Sequence, residues 1–214
     1  MKGILISFEG VDGSGKSTQS RRLYHWLRRI GYDTIHLEEP GGSNLGESVK
    51  KILLYSKGEI EGLSELFLFF ACRAQLVKET ILPSLKKGKI LIIDRFSDST
   101  LAYQGYGRGI DKGLIVRLNK IVTKGITPDL TILLDERPKA ALKRTKSRKG
   151  QKSSLSADRF ENEPLSFHQR VRKGYLKIAL CNKKRIKIIP VRADEDDTFQ
   201  EIKKAVLPLL TKMT

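Results

Sequence analysis

The run Ile4-Leu5-Ile6-Ser7-Phe8-Glu9-Gly10-Val11-Asp12-Gly13-Ser14-Gly15-Lys16-Ser17-Thr18 decides how this chain is built. Ile4–Glu9 is an apolar, β-branched stretch of strand length. Residues 10–17 fit G-x-x-x-x-G-K-[ST], and a helical pattern starts at once behind them. That helix carries Leu23, Trp26, Leu27 and Ile30 on one face and stops at Gly31. Strand, glycine-rich turn and helix together make a cradle for a phosphate chain. The glycines let backbone N–H groups face the phosphates, and the helix N-terminus adds partial positive charge. Gly10, Val11, Asp12, Gly13, Ser14, Gly15, Lys16, Ser17 and Thr18 are therefore the expected ATP-binding residues. Lys16 would bridge the β- and γ-phosphate oxygens, and the Ser17 hydroxyl would coordinate Mg²⁺.

Outward from this segment, short apolar strands alternate with longer helical patterns. Strands are expected at residues 34–37, 90–94, 130–134 and 186–189, in addition to Ile4–Glu9. Helices are expected at 45–54, 63–85, 98–104, 111–124, 138–146, 165–182 and 198–210, with a polar break at 147–158. The run at 90–93 is apolar throughout, as in a parallel strand buried on both faces. The alternation predicts an α/β fold of three layers, with a mostly parallel five-stranded sheet between helices. No linker or repeat interrupts it, so residues 1–214 read as one domain.

Composition narrows the function classes. The hydrophobic share of 39% suits one sizeable core, and no apolar run reaches the length of a membrane span. The N-terminus lacks a full apolar signal core and runs straight into the cradle, so a cytoplasmic protein is expected. Cys72 and Cys181 lie far apart without metal-ligand spacing, and read as free thiols. The formal charge of +17 would attract polyanions. Its lysines and arginines are spread along the chain, however, with no interleaved aromatics to stack bases. Nucleic acid is therefore not the expected partner. The rival it motivates, a nucleic-acid-bound ATPase, predicts hydrolysis stimulated by DNA or RNA. GTPase base-reading motifs of the NKxD type are absent, since Asn119-Lys120 and Asn182-Lys183 are continued differently.

The acceptor side is written in Leu91-Ile92-Ile93-Asp94-Arg95-Phe96-Ser97-Asp98-Ser99-Thr100-Leu101-Ala102-Tyr103-Gln104-Gly105. A buried strand ends in Asp-Arg, which puts both side chains at the carboxyl edge of the sheet, where α/β folds bind ligands. Asp94 suits the Mg²⁺ shell and Arg95 can grip a phosphate through its planar fork. A structural salt bridge is the plainer alternative for this pair. Phe69 and Arg73 stand four apart, on one helical face.

The cradle with Asp12, the turn Glu38-Glu39-Pro40-Gly41-Gly42, Phe69-Phe70-Ala71-Cys72-Arg73, the block from Asp94 to Gly105 and Asp158-Arg159-Phe160-Glu161 occur in this order. Together they closely resemble the thymidylate kinases over nearly the whole chain. The resemblance implies a P-loop nucleoside monophosphate kinase fold, ATP as donor, dTMP as acceptor, Mg²⁺ and a homodimer. It also implies roles. Phe69 would stack on thymine, Arg73 would donate to O4, and Gln104 would reach the base edge. Arg95 would hold the acceptor phosphate, while Asp12 would contact the 3′-hydroxyl and help orient the phosphates. Tyr103 would close the pocket beside C2′, with Glu39, Pro40, Ser99 and Thr100 as further substrate contacts. Lys16, Arg95, Asp12 and a lid arginine form the expected catalytic set. Arg148 best matches that arginine and Arg144, also an expected ATP contact, comes second, within a lid at about residues 144–160. The lid is longer than usual, and Glu38 stands where bacterial relatives usually carry arginine.

Overall fold

Five strands form one sheet in the order β2-β3-β1-β4-β5, with every neighbouring pair parallel. They are β1 (Ile4–Glu9), β2 (Thr34–Glu38), β3 (Ile90–Asp94), β4 (Leu130–Asp135) and β5 (Ile186–Pro190). The computed structural model describes residues 3–56, 58–150 and 159–211, and only the backbone of 146–150. Helices connect the strands: α1 (Lys16–Arg29), α2 (Asn44–Tyr55), α3 (Gly62–Leu76), α4 (Leu82–Lys86), α5 (Ser97–Thr100), α6 (Lys112–Val122), α7 (Pro138–Gly150), α8 (Leu165–Cys181) and α9 (Glu195–Leu210).

The two-residue period of β1 sorts its side chains between two helical layers. Ile4, Ile6 and Phe8 pack with Leu23 and Leu27 of α1 and with Ile202 and Val206 of α9. Leu5 points the other way, toward Leu76, Val77 and Ile81. Ser7 and Glu9 share that second face, where the Ser7 hydroxyl meets Thr131 Oγ1 at 2.7 Å. Both faces of the sheet are thus covered, which is why the central strands are apolar almost without interruption. The expected three-layer architecture stands, and the sheet is wholly parallel.

Two expected helices differ in form. The stretch read as one helix over 63–85 is α3, a π-helical turn at Val77–Ile81 and α4. Pro83 lies just beyond that turn; it has no N–H to donate and would crowd the carbonyl of Glu79 in a regular helix. Widening to five-residue bonding absorbs the mismatch, as in the bond from Leu82 N–H to Val77 O. Past α5 the chain again becomes π-helical, at Leu101–Gly107, and this widened segment carries Tyr103 and Gln104. Helix α7 continues to Gly150, into the stretch expected to break.

Candidate active site

Beyond β1 the chain turns on glycines. Gly15 caps α1 in the left-handed region at φ 87°. Gly13, at φ 80°, lies so close to α7 that a Cβ there would sit 2.2 Å from Ala141 O. Lys16, 6% exposed, donates from Nζ to Val11 O at 2.9 Å. Burial, reinforced by the nearby Arg95 charge, pulls its pKa down to about 8, against the opposing effect of Asp12, Asp94 and Glu9. Ser17 Oγ donates to Asp94 Oδ2 at 2.5 Å. The other Asp94 oxygen, Oδ1, is buried with no hydrogen-bond partner, as is Ser14 Oγ. A hydroxyl and a carboxylate oxygen side by side, one lone-pair set unclaimed, fit a hard divalent cation such as Mg²⁺. No cluster of three or more His, Cys, Asp or Glu side chains suited to a metal occurs among the described residues. That leaves a one-carboxylate site that phosphates and water would complete, the arrangement Mg²⁺ favours.

Arg95 follows β3 with φ 70°, a left-handed backbone that costs a non-glycine residue energy and that concentrates at functional sites. Its Nη2 forms an ion pair with Asp12 and donates to Tyr103 Oη at 3.2 Å. Its Nη1 reaches Gly10 O and Ser99 Oγ, each at 3.2 Å. Tyr103 Oη in turn donates to the second Asp12 oxygen at 2.7 Å. Burial works to raise the Asp12 pKa, but Arg95 and Lys16 outweigh it and hold the carboxyl down at about 2. A fixed anion and a fixed cation therefore stand at the junction of cradle and β3.

The remaining wall comes from α3 and the widened segment. Arg73, 1% exposed, binds Glu39 Oε2 through Nε at 2.7 Å, Asn119 Oδ1 through Nη1 at 2.8 Å and Phe96 O through Nη2 at 3.2 Å. Nη2 also lies 2.6 Å from Glu39 Oε2, and together these bonds lock the guanidinium in one plane and leave one Nη1 hydrogen over. Burial raises the Glu39 pKa even though Arg73 opposes it. Gln104 donates its amide Nε2 to Glu65 at 2.7 Å, so its carbonyl oxygen remains as an acceptor. Fully buried Glu65 also holds Arg108 and Arg159. Phe69 lies 5.9 Å from Phe160 between ring centres, and Phe160 is 5.8 Å from Tyr103.

A single cavity of about 300 Å³ gathers these groups. All ten expected substrate residues line it: Asp12, Glu39, Pro40, Phe69, Arg73, Arg95, Ser99, Thr100, Tyr103 and Gln104. So do Gly13, Gly15, Lys16, Ser17, Thr18 and Asp94. Gly10, Val11 and Ser14 lie behind the lining as part of the loop. Arg144 stands off on α7 in an ion pair with Glu136. The side chain of Arg148, and most of the expected lid, fall outside the described residues. Sequence reasoning missed Phe160 and Lys50, which also line the cavity, and Glu9, Glu65 and Tyr175 behind it. Lys50 forms an ion pair with Glu38, so the unusual acid meets a base within the chain.

The strand order, the phosphate cradle on the central strand and the second charged wall in the same cavity define a P-loop nucleoside monophosphate kinase, a phosphotransferase. Residues 8–202 match the family model described as thymidylate kinase. A thymidylate kinase of Oleidesulfovibrio alaskensis is 44% identical over 97% of this chain and 99% of its own length. One of Maridesulfovibrio salexigens is 46% identical over 95% of each chain. A crystal structure of thymidylate kinase from Ehrlichia chaffeensis superposes with a TM-score of 0.77 at 36% identity, over 96% of this chain and 99% of that one. This chain belongs to the thymidylate kinase family.

Proposed function

We propose that this chain transfers the γ-phosphoryl group of Mg·ATP to dTMP, giving ADP and dTDP. The observation that carries the reading is the shared cavity, in which Lys16 and Ser17 face the same space as Phe69, Arg73 and Arg95. Phosphoryl transfer asks a protein for alignment and charge neutralisation more than for covalent chemistry. An oxygen of the dTMP phosphate attacks the γ-phosphorus, and the bond to the β–γ bridging oxygen breaks. Lys16 and the loop N–H groups hold the donor. Arg95 grips the acceptor phosphate, and ionised Asp12 receives the sugar 3′-hydroxyl and helps orient both. Ser17 and Asp94 would hold Mg²⁺, which supplies positive charge along the β- and γ-phosphates. Arg148 is the proposed lid arginine; Arg148→Ala lowers kcat by about 100-fold or more, Arg144→Ala by less.

Base choice follows from two fixed groups. Thymine offers an acceptor at O4 to the spare Arg73 hydrogen and an N3–H to the Gln104 carbonyl. Cytosine reverses both, which sets donor against donor and acceptor against acceptor. Unpaired buried polar groups carry large discrimination, whereas the thymine methyl is worth only about 1 kcal/mol. Tyr103 closes the wall where a ribose 2′-hydroxyl would enter. Assay of dTMP, dUMP, dCMP, AMP and thymidine side by side tests this. dTMP should lead, dUMP should follow within about 10-fold in kcat/KM, and dCMP should fall about 100-fold or more behind. Arg73→Ala should raise KM for dTMP and leave that for ATP nearly unchanged. A different preferred acceptor, or hydrolysis driven by nucleic acid, would sink the reading. We place the enzyme in the cytoplasm as a homodimer. Its unpaired Cys72 and Cys181 suit a reducing compartment, and Leu63 and Phe67 expose an apolar face on α3.

A further inference from the structure

Glu9, the last residue of β1, is fully buried and belongs to neither phosphate cradle nor base wall. Its Oε1 accepts the Phe96 N–H at 2.8 Å. Its Oε2 lies within hydrogen-bonding distance of Ser99 Oγ, at 2.5 Å, and of Tyr175 Oη, at 3.1 Å. Ser99 Oγ and Tyr175 Oη are themselves 2.7 Å apart, which closes a triangle of three oxygens. Arg95 Nη1 reaches two of its corners, at 3.2 Å and 3.4 Å. The backbone repeats the pattern: the Arg95 N–H goes to Phe8 O at 2.9 Å, and the next N–H, of Phe96, goes to Glu9. Successive donors across the left-handed turn are thus received by the last two residues of β1.

We propose that Glu9 is a positioning residue for the acceptor phosphate: it pins the turn at Arg95 and, through Ser99 and Tyr175, aims the guanidinium into the cavity. The proposal rests on reading Arg95 as the acceptor clamp. The protonation of Glu9 fits it. Burial and then Asp98 push its pKa up to about 8, against the opposing contacts of Ser99, Arg95 and Phe96. Lys16, Tyr175 and Arg185 are the other titratable groups within its field. Carried as the neutral acid, Glu9 brings the third hydrogen that a closed ring of three oxygens needs. Arg95 then keeps Asp12 as its only carboxylate partner among the described residues, and its charge stays available to a phosphate.

Steady-state kinetics with Glu9→Ala, Glu9→Gln and Tyr175→Phe test this. Glu9→Ala should raise KM for dTMP by about 10-fold, because it strands the Phe96 N–H and loosens Arg95, with KM for ATP within about 2-fold. Glu9→Gln, neutral and able to both donate and accept, should recover most of that loss. Where Glu9→Ala does not fold, Tyr175→Phe reads the same effect by opening the ring at one hydroxyl. Equal effects on both substrates, or a lower melting temperature with KM for dTMP unmoved, would overturn the proposal. So would a Glu9→Gln variant as impaired as Glu9→Ala. Arg95→Ala separates the two levels. If it abolishes dTMP use while the Glu9 and Tyr175 variants leave KM alone, only the positioning role fails.

Discussion

Asp12 and Lys16 both feel Arg95, with opposite results. The guanidinium keeps Asp12 ionised down to about pH 2, but the same charge helps to lower the Lys16 pKa to about 8. In the free enzyme, then, kcat/KM for ATP should decline as pH rises through about 8, as the lysine loses the proton that binds phosphate. A profile flat to pH 10 would contradict that. The stabilising contribution of Asp12 is present above the ordinary aspartate pKa and is lost only as pH falls through about 2. Glu9 has the reverse sign. Its folded pKa is raised, so its favourable contribution is complete below the unfolded value of 4.5 and is lost as pH rises toward about 8. Wild-type melting temperature should therefore fall relative to Glu9→Gln between those limits. Spacing revealed the residues that are neighbours in sequence or one helical turn apart, such as the cradle and the Phe69–Arg73 pair. Glu9 escaped notice because its partners lie 87 to 166 residues away. Nothing local distinguishes it from an acid at a strand end.

At the scale of elements, Glu65 ties three segments together. It sits fully buried in α3, receives Gln104 from the widened segment and Arg108 beyond it, and pairs with Arg159 ahead of α8. Glu65→Ala should cost about 3 kcal/mol in chemical denaturation, since it leaves charged partners uncompensated. It should also narrow the preference for dTMP over dCMP, because the Gln104 amide loses its anchor. An unchanged acceptor preference in a folded Glu65→Ala enzyme would show that Gln104 does not depend on it. The acid could be seen in the sequence as an oddity in an apolar helix, but its three partners could not. Helix α9 shows the opposite case of a signal that was present and unused. Asp194 accepts the Asp196 N–H at 2.7 Å, and Glu195, Asp196 and Asp197 complement the helix dipole. These place the start three residues before the expected one. The π-helical turns could not be read from apolar spacing, which does not separate four-residue from five-residue bonding.

Across the whole molecule, the apolar strands and the glycine stops made the layered sheet legible, because each strand had to be buried on both faces. The proposed pairing of chains was not written so clearly. On α3, Leu66, Phe70 and Leu76 face the core while Leu63 is 42% exposed and Phe67 55%. A helix apolar on both sides reads the same whether its outer face meets core or partner. Phe67→Glu should convert a dimer to a monomer in light scattering; a variant that keeps the wild-type molar mass would exclude this face. No helix among the described residues is long and apolar enough to cross a membrane.

The course of β1 has one more outcome. The strand leads directly into the donor cradle, and its final carboxyl braces the acceptor's arginine, so both half-sites are mounted on one short beam. Donor and acceptor can differ in how tightly each is held. Their separation is set by covalent chain in the middle of the sheet, so the distance between the reacting groups is built into the strand itself.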